Sequence, residues 1–462
     1  VCDERRRVIA ALVALLFLAG AATPVGAAGA PHYRPIRRLT VPVDGGGFGT
    51  ALARVGSQLL VGAPNLGAAE STEAHGYLFD PATGAVVHDL VVPVGHDRWW
   101  QFSVGAVGAN PFVGISPGAE EDGLDGTVTV FDGATGSVTQ TLCCYGGIAA
   151  GVGTRVAIGA FHGGGIFDPP TGDLLAGLAI PEPEQQGVLS MLAIGTRTVA
   201  LAAAHPVGVH LFDVPSGKRI GFVGTRHGDA RRFGSAMAAN GSTLAVTETP
   251  QVNVFDVGFG IYLGTIDPPP GLGGAFGASL AYAGGRLVVG APSAGDHGAV
   301  HVYDANGNLF ETLPADDAGA GFGRAVVGLG NSIAVGAPTD GGGAVVIYAP
   351  CGDGVVDTPV EQCDDGNTAA DDACDDECRM VVAGGAVCGD ADGNGITSLS
   401  DGVQVLRAAA ELSSSCTLAR CDVDGNGSIG TTDGVQVLRA AAGLPFVGNC
   451  ESRAASFTAD AR

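Results

Sequence analysis

The sequence predicts a mainly β protein, a seven-bladed β-propeller, followed by a small disulfide-rich module and a small α-helical module built on two Asp- and Gly-rich loops. Three observations lead there. A unit of roughly 45 residues, rich in short strand-like runs, recurs from about residue 33 to residue 350. Eight of the 11 cysteines then fall between Cys351 and Cys450. Finally, the phrase DGVQVLRAAA occurs twice, beginning at Asp401 and at Asp433, each time behind an Asp- and Gly-rich loop.

Composition bounds what the chain can do. With 46% hydrophobic residues against 15% charged ones, it can bury a core despite its 77 glycines. At 462 residues it exceeds what one core usually serves, so repeats or several units are expected. The formal net charge of −24 makes nucleic acid a poor partner, because binding it depends on Lys and Arg neutralising phosphates.

The first element is residues 1–28. Arg5, Arg6 and Arg7 precede an apolar stretch from Val8 to Gly20, and small residues from Val25 to Ala28 supply a cleavage site. This is the pattern of a secretory signal peptide, too short for a membrane span. It places the mature chain outside the cell or on its surface, with no transmembrane segment.

The propeller follows at residues 33–350. Its clearest units begin at Phe276 and Phe322 and read FGASLAYAGGRLVVGAPSAGDHGAVHVYD and FGRAVVGLGNSIAVGAPTDGGGAVVIYAP. A third opens at Phe48, and weaker copies start at Phe102, Gly147, Leu189 and Phe233, which makes seven. Each unit has a small-residue strand, an apolar strand ending in Gly-Ala-Pro or its relic, and an alternating strand ending in Phe/Tyr-Asp. A fourth strand such as Leu309–Leu313 follows in most. Four short strands per unit, punctuated by Gly and Pro, make a propeller blade. The last unit lacks its fourth strand, and RPIRRLTVPV at Arg34–Val43 is expected to close the ring in its place.

The succession Phe-Gly, Val-Gly-Ala-Pro and Tyr-Asp resembles the FG-GAP repeats of integrin α-subunit propellers and of many bacterial surface proteins. The resemblance implies adhesion or ligand binding, with an extracellular protein or glycan as partner. The family often carries D-x-D-x-D-G calcium loops between its second and third strands, and no loop here keeps that spacing. Glu120, Glu121, Asp122 and Asp125 are the only acidic group in these loops dense enough for a cation.

Other residues in the propeller invite chemistry and are given structural roles. Gly114-Ile-Ser116-Pro-Gly118 matches G-x-S-x-G, but a nucleophile elbow needs a helix after the serine, and an acidic Gly-rich loop stands there. Trp99 and Trp100 are assigned to packing between blades rather than to a binding platform. Cys143 and Cys144 are adjacent, and a bridge between neighbours is strained, so free buried thiols are expected. No His/Asp pairing supports a triad or metal site, so no catalytic residue is assigned. A polysaccharide-active enzyme remains the alternative class; it would need polar residues converging on the central channel, where the inner strands are rich in Ala, Gly and Val.

Residues 351–379 hold four cysteines and no basic residue between Asp353 and Glu377. They resemble the Myxococcus cysteine-rich repeat, related in pattern to Lin-Notch repeats. With almost no aliphatic core, the segment depends on crosslinks or metal. Three disulfide pairings are open, and Asp364, Asp365 and Asn367 are the preferred calcium candidates.

Residues 388–450 carry the two loops, DADGNGITSLSD from Asp390 and DVDGNGSIGTTD from Asp422. A calcium loop places side-chain oxygens at positions 1, 3 and 5, a backbone carbonyl at 7 and a carboxylate at 12, with Gly at 6. The ligands are therefore Asp390, Asp392, Asn394, the Ile396 carbonyl and Asp401, then Asp422, Asp424, Asn426, the Ser428 carbonyl and Asp433. The expected cofactor is Ca²⁺. Asp at position 12 and a helix only after each loop resemble an EF-hand pair of the type I dockerin kind. That likeness implies a cohesin-like partner contacting Leu399-Ser400 and Thr431-Thr432. No glycosidase precedes the module, so the scaffold role of cellulosomal dockerins does not carry over. Residues 451–462 are expected to be a disordered tail.

Overall fold

The computed structural model describes residues 32–41, 46–64, 73–93, 99–117, 126–143, 146–160, 163–180, 186–205, 207–226, 232–271, 275–313, 315, 321–339, 342–352, 356, 363–364, 374, 381–382, 386–393 and 397–442. Residues 1–28, expected to be a signal peptide, residues 451–462, the acidic group at 120–125 and Cys144 lie outside the described residues.

Seven four-stranded antiparallel sheets form the propeller. Their inner strands are Ala51–Val55, Trp99–Val107, Ile148–Val152, Gln186–Ile194, Met237–Asn240, Ser279–Ala283 and Ala325–Leu329. Each lies against the next, and the last lies against the first, so the ring is closed. The seventh blade takes its outer strand from the chain's start. His32–Leu39 pairs antiparallel with Ala344–Cys351, from His32 opposite Cys351 to Leu39 opposite Val345. This is the expected closure, and it covers an edge that would otherwise be open.

The repeated sequence landmarks are the contacts that hold the ring. In the Phe-Gly pairs, Phe48, Phe233, Phe276 and Phe322 are fully buried. Phe48, Phe276 and Phe322 meet an aromatic on the third strand of their own blade edge-on, Phe48 against Phe79 at 5.7 Å, Phe276 against Tyr303 at 6.2 Å and Phe322 against Tyr348 at 6.1 Å. The following glycines take left-handed backbone, for example Gly49 at φ 90° and Gly323 at φ 90°, which a side chain would resist. Their carbonyls face the preceding blade. Ser279 Oγ donates to Gly323 O at 2.8 Å, and Ser103 and Ser190 donate likewise to Gly147 O and Gly234 O at 2.5 Å. In all three the separation is 44 residues, so one hydrogen bond recurs with the period of the blade.

In the first six blades an Asp at the end of the third strand starts a tight turn. The carbonyls of Asp80, Asp132, Asp168 and Asp213 each accept from a glycine amide four residues on, at 2.8 Å. The Thr135 amide and hydroxyl donate to the Asp132 carboxylate and the Ser216 hydroxyl to that of Asp213, and these bonds lower both pKa values.

Two blades depart from the pattern. The inner strands Trp99–Val107 and Gln186–Ile194 have 9 residues each where the others have 4 or 5. Phe102, expected to open the second unit like Phe48, instead sits within the ladder opposite Ile115. Here an extended ladder replaces the Phe-Gly corner, which is why these copies look degenerate in sequence.

Beyond the propeller, the described tail contains a strand pair, Val381–Val382 with Ala386–Val387, and three helices: α1 (Leu399–Ala409), α2 (Leu418–Cys421, a single turn) and α3 (Thr431–Ala441). A small core of Cys388, Ala391, Val405, Cys421, Val423 and Val437 lies between α1 and α3.

Candidate metal centre

Each acidic loop folds back onto the start of the helix that follows it. Asp401 and Asp433 occupy the first turns of α1 and α3, where the helix dipole favours a carboxylate. Their two oxygens are used in the same way. Asp401 Oδ2 accepts from the Ser398 amide at 2.9 Å and Oδ1 from the Asp392 amide at 3.2 Å. Asp433 Oδ2 accepts from the Gly430 amide at 2.7 Å and Oδ1 from the Asp424 amide at 2.9 Å. Position 12 of each loop is thus bonded to positions 3 and 9, which bends the loop around one point.

At that point the carboxylates converge. Oxygens of Asp390, Asp392 and Asp401 lie within 4.8 Å of one another, and so do oxygens of Asp422, Asp424 and Asp433. Two Ca–O bonds of ~2.4 Å span about that limit, so oxygens this close together can reach one ion. Four of the six carboxylates, at Asp390, Asp401, Asp422 and Asp433, are buried. Backbone amides offset part of the resulting charge: Gly393 donates to Asp390 Oδ1 and Gly427 to Asp422 Oδ2, both at 2.8 Å. Asp422 Oδ1, however, is buried and has no hydrogen-bond partner. A desolvated anionic oxygen without a donor is costly, and a cation is the partner that would relieve it.

Not every expected ligand is placed. Asn394 and the Ile396 carbonyl lie outside the described residues. Asn426 Oδ1 accepts from the Ser428 amide at 3.0 Å and its hydroxyl at 2.6 Å, so this amide is engaged within its own loop.

The two halves of the module match in their packing as well. Gly402 of α1 faces the Leu438 side chain of α3, and Gly434 of α3 faces Leu406 of α1, each with room for no Cβ: it would stand 2.5 Å from the leucine Cδ2. The second residue of each DGVQVLRAAA phrase therefore lets the two helices approach.

Disulfides frame this region. Cys416 pairs with Cys421, directly before Asp422, and Cys388, two residues before Asp390, is also disulfide-bonded. In the preceding segment Cys363 pairs with Cys374, a choice the spacing left open, and Cys351 is bonded too. Asp364 Oδ2 accepts from the Gly352 amide at 2.9 Å, while Asp365 and Asn367 lie outside the described residues.

In the propeller, Ser116 stands in the strand Asn110–Pro117, paired with Gln101, and the next described element is the strand Thr127–Phe131. Cys143, expected to be buried, is exposed, because it ends an outer strand whose preceding residue, Leu142, takes the inward position. The side chains of Trp99 and Trp100 are outside the description. Known protein families include none that matches this chain, and no curated protein matches it.

Proposed function

We propose that this chain is an exported calcium-binding protein whose tail module holds two Ca²⁺ ions and whose propeller is a ligand-binding or adhesion platform without catalytic activity. The observation that carries the calcium reading is Asp422 Oδ1, a buried carboxylate oxygen with no donor, set among the carboxylates of Asp424 and Asp433. The ion would be held by Asp422, Asp424, Asn426, the Ser428 carbonyl and Asp433 in the second loop. The first loop offers Asp390, Asp392, Asn394, the Ile396 carbonyl and Asp401. Hard oxygen ligands with three carboxylates suit Ca²⁺.

The disulfides favour an oxidising compartment, and among the described residues no helix is long and apolar enough to cross a membrane. The Phe-Gly, Val-Gly-Ala-Pro and Tyr-Asp motifs support an FG-GAP reading of the propeller, and an extracellular protein or glycan is the ligand class that follows from it. Isothermal titration of the mature chain with CaCl₂ tests the central claim. Two sites are expected, one lost in Asp390→Asn and the other in Asp422→Asn. An absence of heat up to millimolar calcium overturns the reading.

A further inference from the structure

The two loops differ in what leans on them. The turn α2 stands between them, clasped by Cys416–Cys421. Its Arg420 carbonyl accepts from the Gly389 amide at 2.8 Å, one residue before Asp390, while its last residue, Cys421, is bonded directly to Asp422. The Arg420 side chain turns toward the first loop. A Cβ built on Gly393 would stand 2.3 Å from its Nη1, 3.0 Å from Cζ and 3.2 Å from Nη2, so the guanidinium lies against the backbone of loop position 4. Positions 3 and 5 on either side, Asp392 and Asn394, are ligands of the calcium reading.

A guanidinium is charged at every relevant pH. Lying against the backbone of the loop that carries Asp390, Asp392 and Asp401, it adds a positive charge to that loop, which offsets part of the carboxylate repulsion when no ion is bound and repels a divalent ion that approaches. The second loop presents the opposite case, the buried and donorless Asp422 Oδ1. We infer that Arg420 makes the first loop the weaker of the two calcium sites, so that the second loop fills first and the module responds to calcium in two steps. This inference rests on the calcium reading above.

Its test is calcium titration of the mature, oxidised chain and of Arg420 variants. Removing one unit charge several ångströms from a divalent ion in a water-like dielectric changes affinity by about five- to tenfold. Arg420→Gln should therefore tighten the weaker site by that factor and leave the tighter one nearly unchanged. Arg420→Met, which keeps the apolar stem, should do the same and covers a failure of the Gln variant to fold. Arg420→Lys should keep the wild-type pattern, which separates charge from packing. The site that shifts should be the one abolished by Asp390→Asn. Two bound ions with affinities indifferent to Gln and Met at 420, or a weaker site that disappears in Asp422→Asn, overturns the role of Arg420 while leaving calcium binding intact. Absence of calcium binding in wild type and variants alike removes the calcium reading and this inference with it.

Discussion

Gly336, in the Gly-Ala-Pro of the last blade, lies against the carbonyl oxygen of Gly49, in the Phe-Gly of the first: a Cβ at 336 would stand 2.0 Å from it. Gly290 and Gly323 repeat the relationship one blade earlier, at 2.1 Å. The obstacle in both cases is backbone, which cannot turn aside. Gly336→Ala and Gly290→Ala should each destabilise the propeller by about 1–3 kcal/mol, the usual cost of overpacking. Gly177→Ala is the control, since nothing lies within 4 Å of its Cβ position, and it should be neutral or slightly stabilising. Thermal unfolding of the three variants decides this.

Ring closure hangs on Tyr33. Its ring is buried, its amide donates to Glu311 Oε2 at 2.9 Å in the sixth blade, and its hydroxyl donates to Asn331 O at 3.2 Å in the seventh. Tyr33→Phe should cost about 1 kcal/mol for the lost hydrogen bond. Tyr33→Ala should cost about 3–5 kcal/mol, as for other buried aromatics. A chain beginning after Val43 should unfold at lower temperature and aggregate, because the strand Ala344–Cys351 would become an open edge. Unchanged melting of the shortened chain would show that the outer strand is dispensable.

Stability should fall in mild acid partly through His301. Its side chain is buried on the third strand of the sixth blade, where desolvation lowers its pKa, and Nδ1 bonds the Thr312 hydroxyl at 2.9 Å. In the unfolded chain the imidazole takes up a proton near pH ~6.5, whereas in the folded protein it does so only at lower pH. Between those two values the unfolded state binds more protons, so stability is full above about pH 6.5 and declines as the pH drops below it. Replacing His301 with Gln should flatten the melting temperature between pH 7 and pH 5 relative to wild type. Parallel profiles for the two proteins would assign the decline to other groups.

The helix pair offers a test by compensation. Gly434→Ala should push α1 and α3 apart through Leu406 and lower the stability of the module by about 1–3 kcal/mol. Leu406→Ala in the same chain should recover part of that loss, because the added methyl then occupies vacated space. A double-mutant cycle on circular dichroism at 222 nm measures the coupling, which should be favourable and at least about 0.5 kcal/mol.

Much of this was legible in the sequence. Seven units, four strands in each, the borrowed outer strand and the two loops all follow from local patterns: alternation, turn residues and ligand spacing are set by neighbours in the chain. The Phe-Gly and Gly-Ala-Pro motifs were visible as strings, but their meaning was not. Gly336 and Gly49 are far apart in sequence, and only the closed ring brings one against the carbonyl of the other. The same holds for the extended inner strands at Trp99–Val107 and Gln186–Ile194, where pairing with the second strand overrode the expected Phe-Gly corner. It holds as well for Cys363–Cys374, selected by geometry from pairings that spacing could not rank. In the tail, the sequence by itself determined which carboxylates form each loop, since their order is written along twelve residues. Tertiary structure decided that Asp422 Oδ1 is left without a donor and that Arg420 covers Gly393, because burial and the reach of a side chain depend on how α2 packs between the loops.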